Sequence, residues 1–178
     1  MKLDFKLFVS IASFVVFVIA LLFFRFSTNP PDIAGMFKTV KNGSLVLEIE
    51  DRVVVNTPFT VSAIVDSSNQ KVNAVGFYLR YEPQHLELID FDTSGSFCQF
   101  YPEKKFDNSV GIMSLACGSP HPGFSGKSTL ITLTFMPKVV ANSIISVDPK
   151  SQILLSDGKG TNILETFPQE RISILNSL

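Results

Sequence analysis

The stretch that decides the fold is residues 72–89, VNAVGFYLRYEPQHLELI. Side chains alternate along its first ten residues, so one face carries the larger apolar groups and the other the small or polar ones. The two sets are Val75, Phe77, Leu79 and Tyr81 on one face, and Ala74, Gly76, Tyr78 and Arg80 on the other. A period of two is typical of a β-strand with one buried face. Pro83 interrupts the run, and a second strand is predicted at Leu86–Asp92.

The same alternation extends outward from this stretch in both directions. Turn residues separate the apolar runs, as in Asn56-Thr57-Pro58 and the segment 118–126. The predicted strands are Ser44–Glu50, Phe59–Asp66, Val72–Tyr81, Leu86–Asp92, Phe97–Tyr101, Val110–Cys117, Ser128–Met136, Ile144–Val147, Ile153–Leu155 and Arg171–Leu175. Eight to ten short strands without a helical period are typical of an all-β sandwich or barrel. A sandwich is favoured because the alternation gives each strand one face to bury against a second sheet.

The N-terminus has a different pattern, an apolar run from Leu7 to Phe24 that contains no charge. About 18 such residues are enough to cross a bilayer core as a helix. A cleaved signal peptide is the alternative, but its apolar core is shorter and ends in small residues. This run ends instead in the bulky segment 21–24, LLFF. The sequence therefore predicts that residues 1–26 are an uncleaved transmembrane anchor, with the lipid bilayer as a partner through residues 7–24.

The charges beside this run predict its orientation. Lys2 and Lys6 precede it, and cationic residues remain on the cytoplasmic side. Residues 27–43, which include Pro30-Pro31, lack a sustained period and are interpreted as a linker. The expected localisation is the cell membrane, with one pass, a cytoplasmic N-terminus and an extracellular domain at residues 44–178.

The net charge argues against nucleic acid as a partner. The chain of 178 residues has a formal charge of −1, and its first 26 residues carry +2 from three cations and one Asp. The remainder is therefore −1 − 2 = −3. Most nucleic-acid affinity comes from neutralising phosphates with basic residues, and this acidic part of the chain has no basic stripe.

Two cysteines, Cys98 and Cys117, are separated by a segment that contains Pro, Asn and Gly. Each lies in or beside a predicted strand, so the two can face each other across an antiparallel pair. On the extracellular side of a membrane such a disulfide persists. Two free buried thiols are the alternative. With only two cysteines and two histidines, a structural zinc site is not expected, and no other metal site is predicted.

No set of residues in the sequence predicts an active site or a cofactor. His121 lies in a loop rich in proline and glycine, and no Gly-x-Ser-x-Gly motif follows a strand. Asp157–Asn162, DGKGTN, has a superficial likeness to a calcium loop, but Lys159 occupies a ligand position. We interpret this segment as a turn and expect that the protein is not an enzyme.

Four segments together resemble one family. They are VVVNTPFTV at residues 53–61, the stretch 72–89 with its aromatic-x-Pro-x-x-Leu core, STLITLTF at residues 128–135, and SDGKGTNIL at residues 156–164. In order and spacing they are similar to a cohesin domain, the receptor module of cellulosome scaffolds and related bacterial surface proteins. The resemblance covers about residues 44–175. It implies a jelly-roll β-sandwich of about nine strands, related to carbohydrate-binding modules.

The resemblance also implies a partner and a binding surface. Cohesins bind dockerins, small calcium-loaded helical modules, through one sheet face that includes the third, fifth and sixth strands. In this chain that face carries Ala74, Gly76, Tyr78 and Arg80, with part of Val110–Cys117. Tyr and Arg are enriched at binding hot spots. The chain departs from scaffolds in having a single such domain, no dockerin repeat and a predicted disulfide, which leaves the partner open.

The sequence is also compatible with three other interpretations. Tyr78 and Arg80 can be merely the solvated side of an amphipathic strand. The domain can bind polysaccharide, for which Tyr78, Phe100, Tyr101 and Phe124 are the candidate stacking residues. It can also be a structural component of the cell envelope.

Overall fold

The computed structural model describes residues 41–49 and 52–177, together with Ile19. The predicted anchor at residues 7–24 lies outside this part of the chain except for Ile19, and most of the predicted linker also lies outside it. Within the described ranges, no helix is long and apolar enough to cross a bilayer. The chain divides into two units, Met1–Thr39 and Val40–Leu178, and the strands that the structure describes lie in the second unit.

Twelve strands make up the described part of this unit. They are β1 (Gly43–Ile49), β2 (Val53–Val54), β3 (Phe59–Asp66), β4 (Val72–Tyr81), β5 (Leu86–Asp92), β6 (Phe100–Asp107), β7 (Ile112–Gly118), β8 (Lys127–Pro137), β9 (Asn142–Val147), β10 (Gln152–Leu155), β11 (Leu164–Thr166) and β12 (Gln169–Leu175). The predicted all-β class is confirmed.

The strands form two sheets. The first has the order β2-β12-β9-β4-β7-β6, with β10 also paired to β4, and we call it the front sheet. The second has the order β11-β1-β3-β8-β5, and we call it the back sheet. Pairing is antiparallel except between β1 and β11 and between β2 and β12. Most consecutive strands lie in different sheets, and within the described ranges only β6 and β7 are both consecutive and paired. The predicted sandwich is confirmed.

The core lies between the inner faces of the two sheets. The alternation predicted for β4 is confirmed, because Val75, Phe77, Leu79 and Tyr81 are at most 5% exposed. The ring of Phe135 on β8 lies 5.1 Å from the Tyr81 ring, in an edge-to-face contact that joins the sheets. Complete burial of side chains of this size contributes about 1.5–3 kcal/mol each, so β4 and β8 are central to stability.

The predicted disulfide between Cys98 and Cys117 is confirmed, with Cα atoms 5.8 Å apart. Cys98 lies just before β6 and Cys117 lies on β7. The Gln99 amide donates to the Gly118 carbonyl at 2.8 Å, beside the bridge. The disulfide and this hydrogen bond together fix where β6 begins against β7.

Some predicted strand bounds are wrong, and β6 differs most. The prediction was Phe97–Tyr101, whereas the strand is Phe100–Asp107. It is an edge strand with a mostly exposed, charged sequence, so it lacks the apolar alternation that identifies strands. Its Lys104 ammonium lies 5.3 Å from the centroid of the Phe91 ring on β5 and covers the open side of the sandwich.

Two further strands were missed, and one predicted start is wrong. β2 and β11 have only two and three residues, too few for a period, and each makes a parallel pair. Val110 and Gly111 do not belong to β7, which starts at Ile112. Gly111 has a φ of 68° in the turn between β6 and β7, a conformation that glycine adopts without strain.

Candidate functional site

The site predicted from the sequence lies on the outer face of the front sheet, which points away from the core. Ala74, Gly76, Tyr78 and Arg80 project from this side of β4, opposite the buried side chains. Arg80 is exposed and the other three are partly buried. The structure therefore brings all four predicted residues onto one surface. Whether that surface binds a partner remains a prediction.

Strands β7 and β6 extend this outer face in register. Directly opposite residues of antiparallel strands project from the same side of a sheet. Four rows therefore cross β6, β7 and β4 in turn: Phe100–Gly118–Ala74, Glu103–Ala116–Gly76, Lys105–Ser114–Tyr78, and Asp107–Ile112–Arg80. The third, fifth and sixth predicted strands are thus neighbours, although the fifth has different bounds.

A stripe of small residues runs along two of these rows. Ala74, Gly76, Ala116 and Gly118 have no side-chain atom beyond Cβ, so this part of the face is flat. The Phe100 ring covers Gly118, where an added Cβ would lie 2.2 Å from a ring carbon. Phe100 itself is 51% exposed. The flat stripe therefore ends at an exposed aromatic side chain.

Arg80 is held in place at the other end of the face. Its Nε donates to an Asp148 carboxylate oxygen at 2.5 Å, and the Lys150 backbone amide donates to the other oxygen at 2.9 Å. The Lys150 amide, followed by Arg80, lowers the pKa of Asp148 below its usual range. The Asp148 side chain is only 9% exposed, whereas that of Arg80 is 55% exposed. The guanidinium is therefore oriented but open to a partner.

The turn after β9 also fixes the backbone of Tyr78. The Tyr78 amide donates to the Ser151 hydroxyl at 3.0 Å, and the Tyr78 carbonyl accepts from the Asp148 amide at 2.8 Å. These bonds replace a strand partner for this part of β4. They hold the β4 backbone at Tyr78 against the turn.

Across the face, Lys105 and Glu103 form an exposed ion pair on β6. The Lys105 ammonium lies 2.8 Å from a Glu103 carboxylate oxygen. The hydrogen bond that Lys105 donates to Glu103, together with the Glu103 charge, raises the pKa of Lys105, so the ammonium form is favoured. Exposed pairs of this kind contribute little to stability, about 0–1 kcal/mol. Both groups are therefore available to exchange partners.

The four aromatic residues considered for polysaccharide binding do not form a row. Tyr78 and Phe100 lie on the outer face of the front sheet. Tyr101 and Phe124 instead pack against the core, and the Phe124 ring stacks on Phe97 at 4.3 Å. A flat sugar platform needs neighbouring exposed rings, and this arrangement does not provide them.

The Asp157–Asn162 segment is a turn, as predicted. Gly158 and Gly160 each have a φ of 69°, and the Asp157 carboxylate accepts from the Lys159 amide at 2.9 Å. The Asn162 side chain accepts from the Ile153 and Leu164 amides, so it holds the turn onto β10 and β11. In the described part of the chain, no group of three His, Cys, Asp or Glu side chains is placed to hold a metal.

Sequence reasoning missed four charged residues of the outer face. Glu103 and Lys105 belong to it only because β6 continues past Tyr101. Asp148 and Lys150 belong to it only because the turn after β9 folds beside Arg80. The sequence shows a charged run at residues 103–105, but which of these side chains lie on the outer face depends on the register between β6 and β7.

Comparison with solved structures identifies the fold. No protein-family model matches the chain, and no curated protein matches it. Among solved structures, a cohesin module of a family 33 glycoside hydrolase from Clostridium perfringens is 15% identical, with a TM-score of 0.65. The match covers 78% of this chain and 100% of that module.

Two further matches are cohesins solved with dockerins. The sixth cohesin of scaffoldin B from Acetivibrio cellulolyticus is 15% identical, with a TM-score of 0.58, and the match covers 74% of this chain and 99% of that one. A type I cohesin from Clostridium thermocellum is 11% identical, with a TM-score of 0.59, and the match covers 75% of this chain and 94% of that one. At these identities the likeness establishes the fold alone. The described domain therefore has the fold of a cohesin module.

Proposed function

We propose that the domain binds a dockerin-like protein partner on the outer face of the front sheet. The observation that carries this proposal is the flat stripe of small residues between Phe100 and the pair Tyr78 and Arg80. A flat stripe lets the backbone of a partner approach closely, while aromatic and Arg side chains at its ends supply anchors. The cohesins from Acetivibrio cellulolyticus and Clostridium thermocellum, which share the fold, were solved in complex with dockerins.

The same face supports a protein partner better than a polysaccharide. Its two aromatic residues, the partly buried Tyr78 and the exposed Phe100, are separated by the row that contains Gly76. The groups between them are small and have few hydrogen-bonding atoms, whereas sugar sites combine stacked rings with several polar groups. The charged groups lie at one end of the face, an arrangement that orients a protein partner.

The proposal is tested by measuring binding of the full-length chain to a panel of purified, calcium-loaded dockerins. We expect at least one dockerin to bind and the Tyr78→Ala/Arg80→Ala variant to bind it at least about tenfold more weakly, as for hot-spot residues. The matched control is Val46→Ala/Glu48→Ala, which alters exposed residues of the back sheet and should leave affinity unchanged.

Two results would contradict this proposal. One is that the folded chain binds no dockerin, and the other is that the Tyr78→Ala/Arg80→Ala variant binds as well as the parent. Insoluble polysaccharides are included in the same panel. Retention on one of them without dockerin capture would make the domain a carbohydrate-binding module.

We further propose that residues 7–24 anchor the chain in a membrane and place the domain outside the cell. The apolar run supports the anchor. The disulfide supports the outer location, because such bonds persist in oxidising compartments. The test is alkaline carbonate extraction of membranes, followed by protease treatment of intact cells. We expect the chain to stay with the membrane and the domain to be cleaved from outside; release into the soluble fraction would contradict the anchor.

A further inference from the structure

The outer face contains a groove that crosses three strands. Two adjoining depressions, of about 280 and 610 Å³, share Lys105, Ile112 and Ser114 as lining residues. Tyr78 and Arg80 line the smaller depression from β4. Because the depressions share their central residues, they form one groove that runs from β4 across β7 to β6.

Ser114 lies at the centre of this groove and is only 6% exposed. It faces Tyr78 on one side and Lys105 on the other in the pairing of the strands. Within the described residues its hydroxyl has no hydrogen-bond partner, and the oxygen is open to the groove, since no fully buried side-chain polar atom lacks a bond. A nearly buried hydroxyl that opens into a groove is placed to bond a group seated there, because it can both donate and accept.

Hydrogen-bond donors surround Ser114. Arg80, Lys105 and Lys150 line the smaller depression and carry positive charge, and Tyr78 adds a hydroxyl. The two carboxylates there are already occupied, since Asp148 pairs with Arg80 and Glu103 pairs with Lys105. This end of the groove is therefore +3 − 2 = +1, whereas residues 27–178 together are −3.

The far end of the groove carries one further negative charge. Asp107 lines the larger depression, where its carboxylate accepts from the Ser109 amide and hydroxyl. Those bonds lower the pKa of Asp107, so it is a committed anion. Ile112 forms the apolar floor between this carboxylate and Ser114.

We propose that the groove receives a carboxylate side chain of the partner protein, seated over Ser114 between Arg80 and Lys105. The Ser114 hydroxyl donates to it, and the guanidinium and ammonium groups neutralise it. Hydrogen bonds to charged groups of this kind are the stronger ones in proteins. The inference rests on the proposed protein-binding function and adds a specificity rule: the element that faces β7 carries an Asp or Glu, and an amide in its place is rejected.

Glu103 then acts as a competitor for Lys105. In the free chain it holds the ammonium at 2.8 Å, and an arriving carboxylate must share that cation. Removing the Glu103 charge by Glu103→Gln should therefore strengthen binding of an acidic partner several-fold. The double variant Lys105→Met/Glu103→Gln removes the cation without changing net charge, and should weaken binding by about tenfold, the low end measured for close charge pairs across interfaces.

The test uses synthetic binders, so it does not depend on the natural partner. A phage-displayed library on a small helical scaffold is selected against the full-length chain and counter-selected against Ala74→Trp, which blocks the flat stripe. Folding of each variant is checked by circular dichroism. We expect the recovered binders to share a carboxylate, whose change to the amide weakens binding by about tenfold, in the range for a charged interface pair.

Control variants locate the effect. Ser114→Ala and Lys105→Met/Glu103→Gln should weaken the same binders, whereas Lys127→Met on the back sheet should not. The inference is overturned if the binders lack a shared carboxylate, or if its amide variant binds equally well. If acidic binders are recovered but no dockerin in the panel binds, the proposed dockerin function is overturned and the carboxylate site is still supported. If a dockerin binds the Ser114→Ala and Lys105→Met/Glu103→Gln variants as well as the parent, the carboxylate site is overturned and the dockerin function is still supported.

Discussion

Removing the disulfide is the perturbation whose magnitude follows most directly from the structure. Cys98 and Cys117 are 19 residues apart, and their bridge closes a loop of that length in the unfolded chain. The loop-closure relation gives about 3 kcal/mol of stabilisation for such a loop. Single domains are stable by only about 5–15 kcal/mol, so this loss is large. We therefore expect Cys98→Ala/Cys117→Ala to lower the free energy of unfolding by about 3 kcal/mol.

The assay is urea denaturation of the full-length chain, followed by circular dichroism. Three samples are compared: the oxidised parent, the parent with reductant and the Cys98→Ala/Cys117→Ala variant. The reduced parent and the variant should agree, which separates loss of the bond from loss of the sulfur atoms in the core. A loss below about 1 kcal/mol in both would refute the reasoning, because the bridge would then do little to restrict the unfolded chain.

Two other predictions follow from the turn between β6 and β7 and from the turn after β4. Gly111 has a positive φ, which costs a residue with a side chain about 1–3 kcal/mol. An added Cβ would also lie 2.1 Å from the Tyr81 carbonyl oxygen, so Gly111→Ala should destabilise the domain by more than the φ cost alone. Gly158→Ala, also at positive φ but in open space, is the matched control with a smaller loss in thermal denaturation. The pKa of Glu82 lies below its ordinary 4.5, chiefly because its carboxylate accepts a hydrogen bond from the Ser143 hydroxyl. The ionised carboxylate therefore stabilises the fold above pH 4.5, and this stabilisation is lost as the pH falls through the lowered pKa. Glu82→Gln should therefore be less stable than the parent at neutral pH, with a difference that shrinks below about pH 4.5 in urea titrations; a constant difference would contradict this assignment.

The sequence predicts the fold wherever a strand has one buried face. Residues 72–81 alternate because the inner side chains of β4 are buried in the core, where Tyr81 contacts Phe135, and that constraint is visible in the residue types. Strand β6 has no such constraint, since it lies at a sheet edge with both charged and apolar side chains exposed. Its bounds were therefore wrong, while the disulfide beside it was predicted correctly from the flanking strand patterns.

The candidate site was predictable only in part, for a related reason. Ala74, Gly76, Tyr78 and Arg80 share one strand, so the period of two places them together without a structure. The groove depends instead on neighbours from other segments. Lys105 meets Ser114 through the register of β6 and β7, which a bulge between Phe100 and Glu103 shifts. The contacts of Asp148 with Arg80 depend on a turn 68 residues further along the chain.

The central claim is that a protein partner covers the outer face of the front sheet. Hydrogen exchange measured by mass spectrometry, on the full-length chain with and without a bound dockerin, tests it most directly. We predict slower exchange in β4, β6 and β7 on binding, with β1, β3 and β8 unchanged. Slower exchange confined to the back sheet, with none in β4, β6 and β7, would contradict the claim.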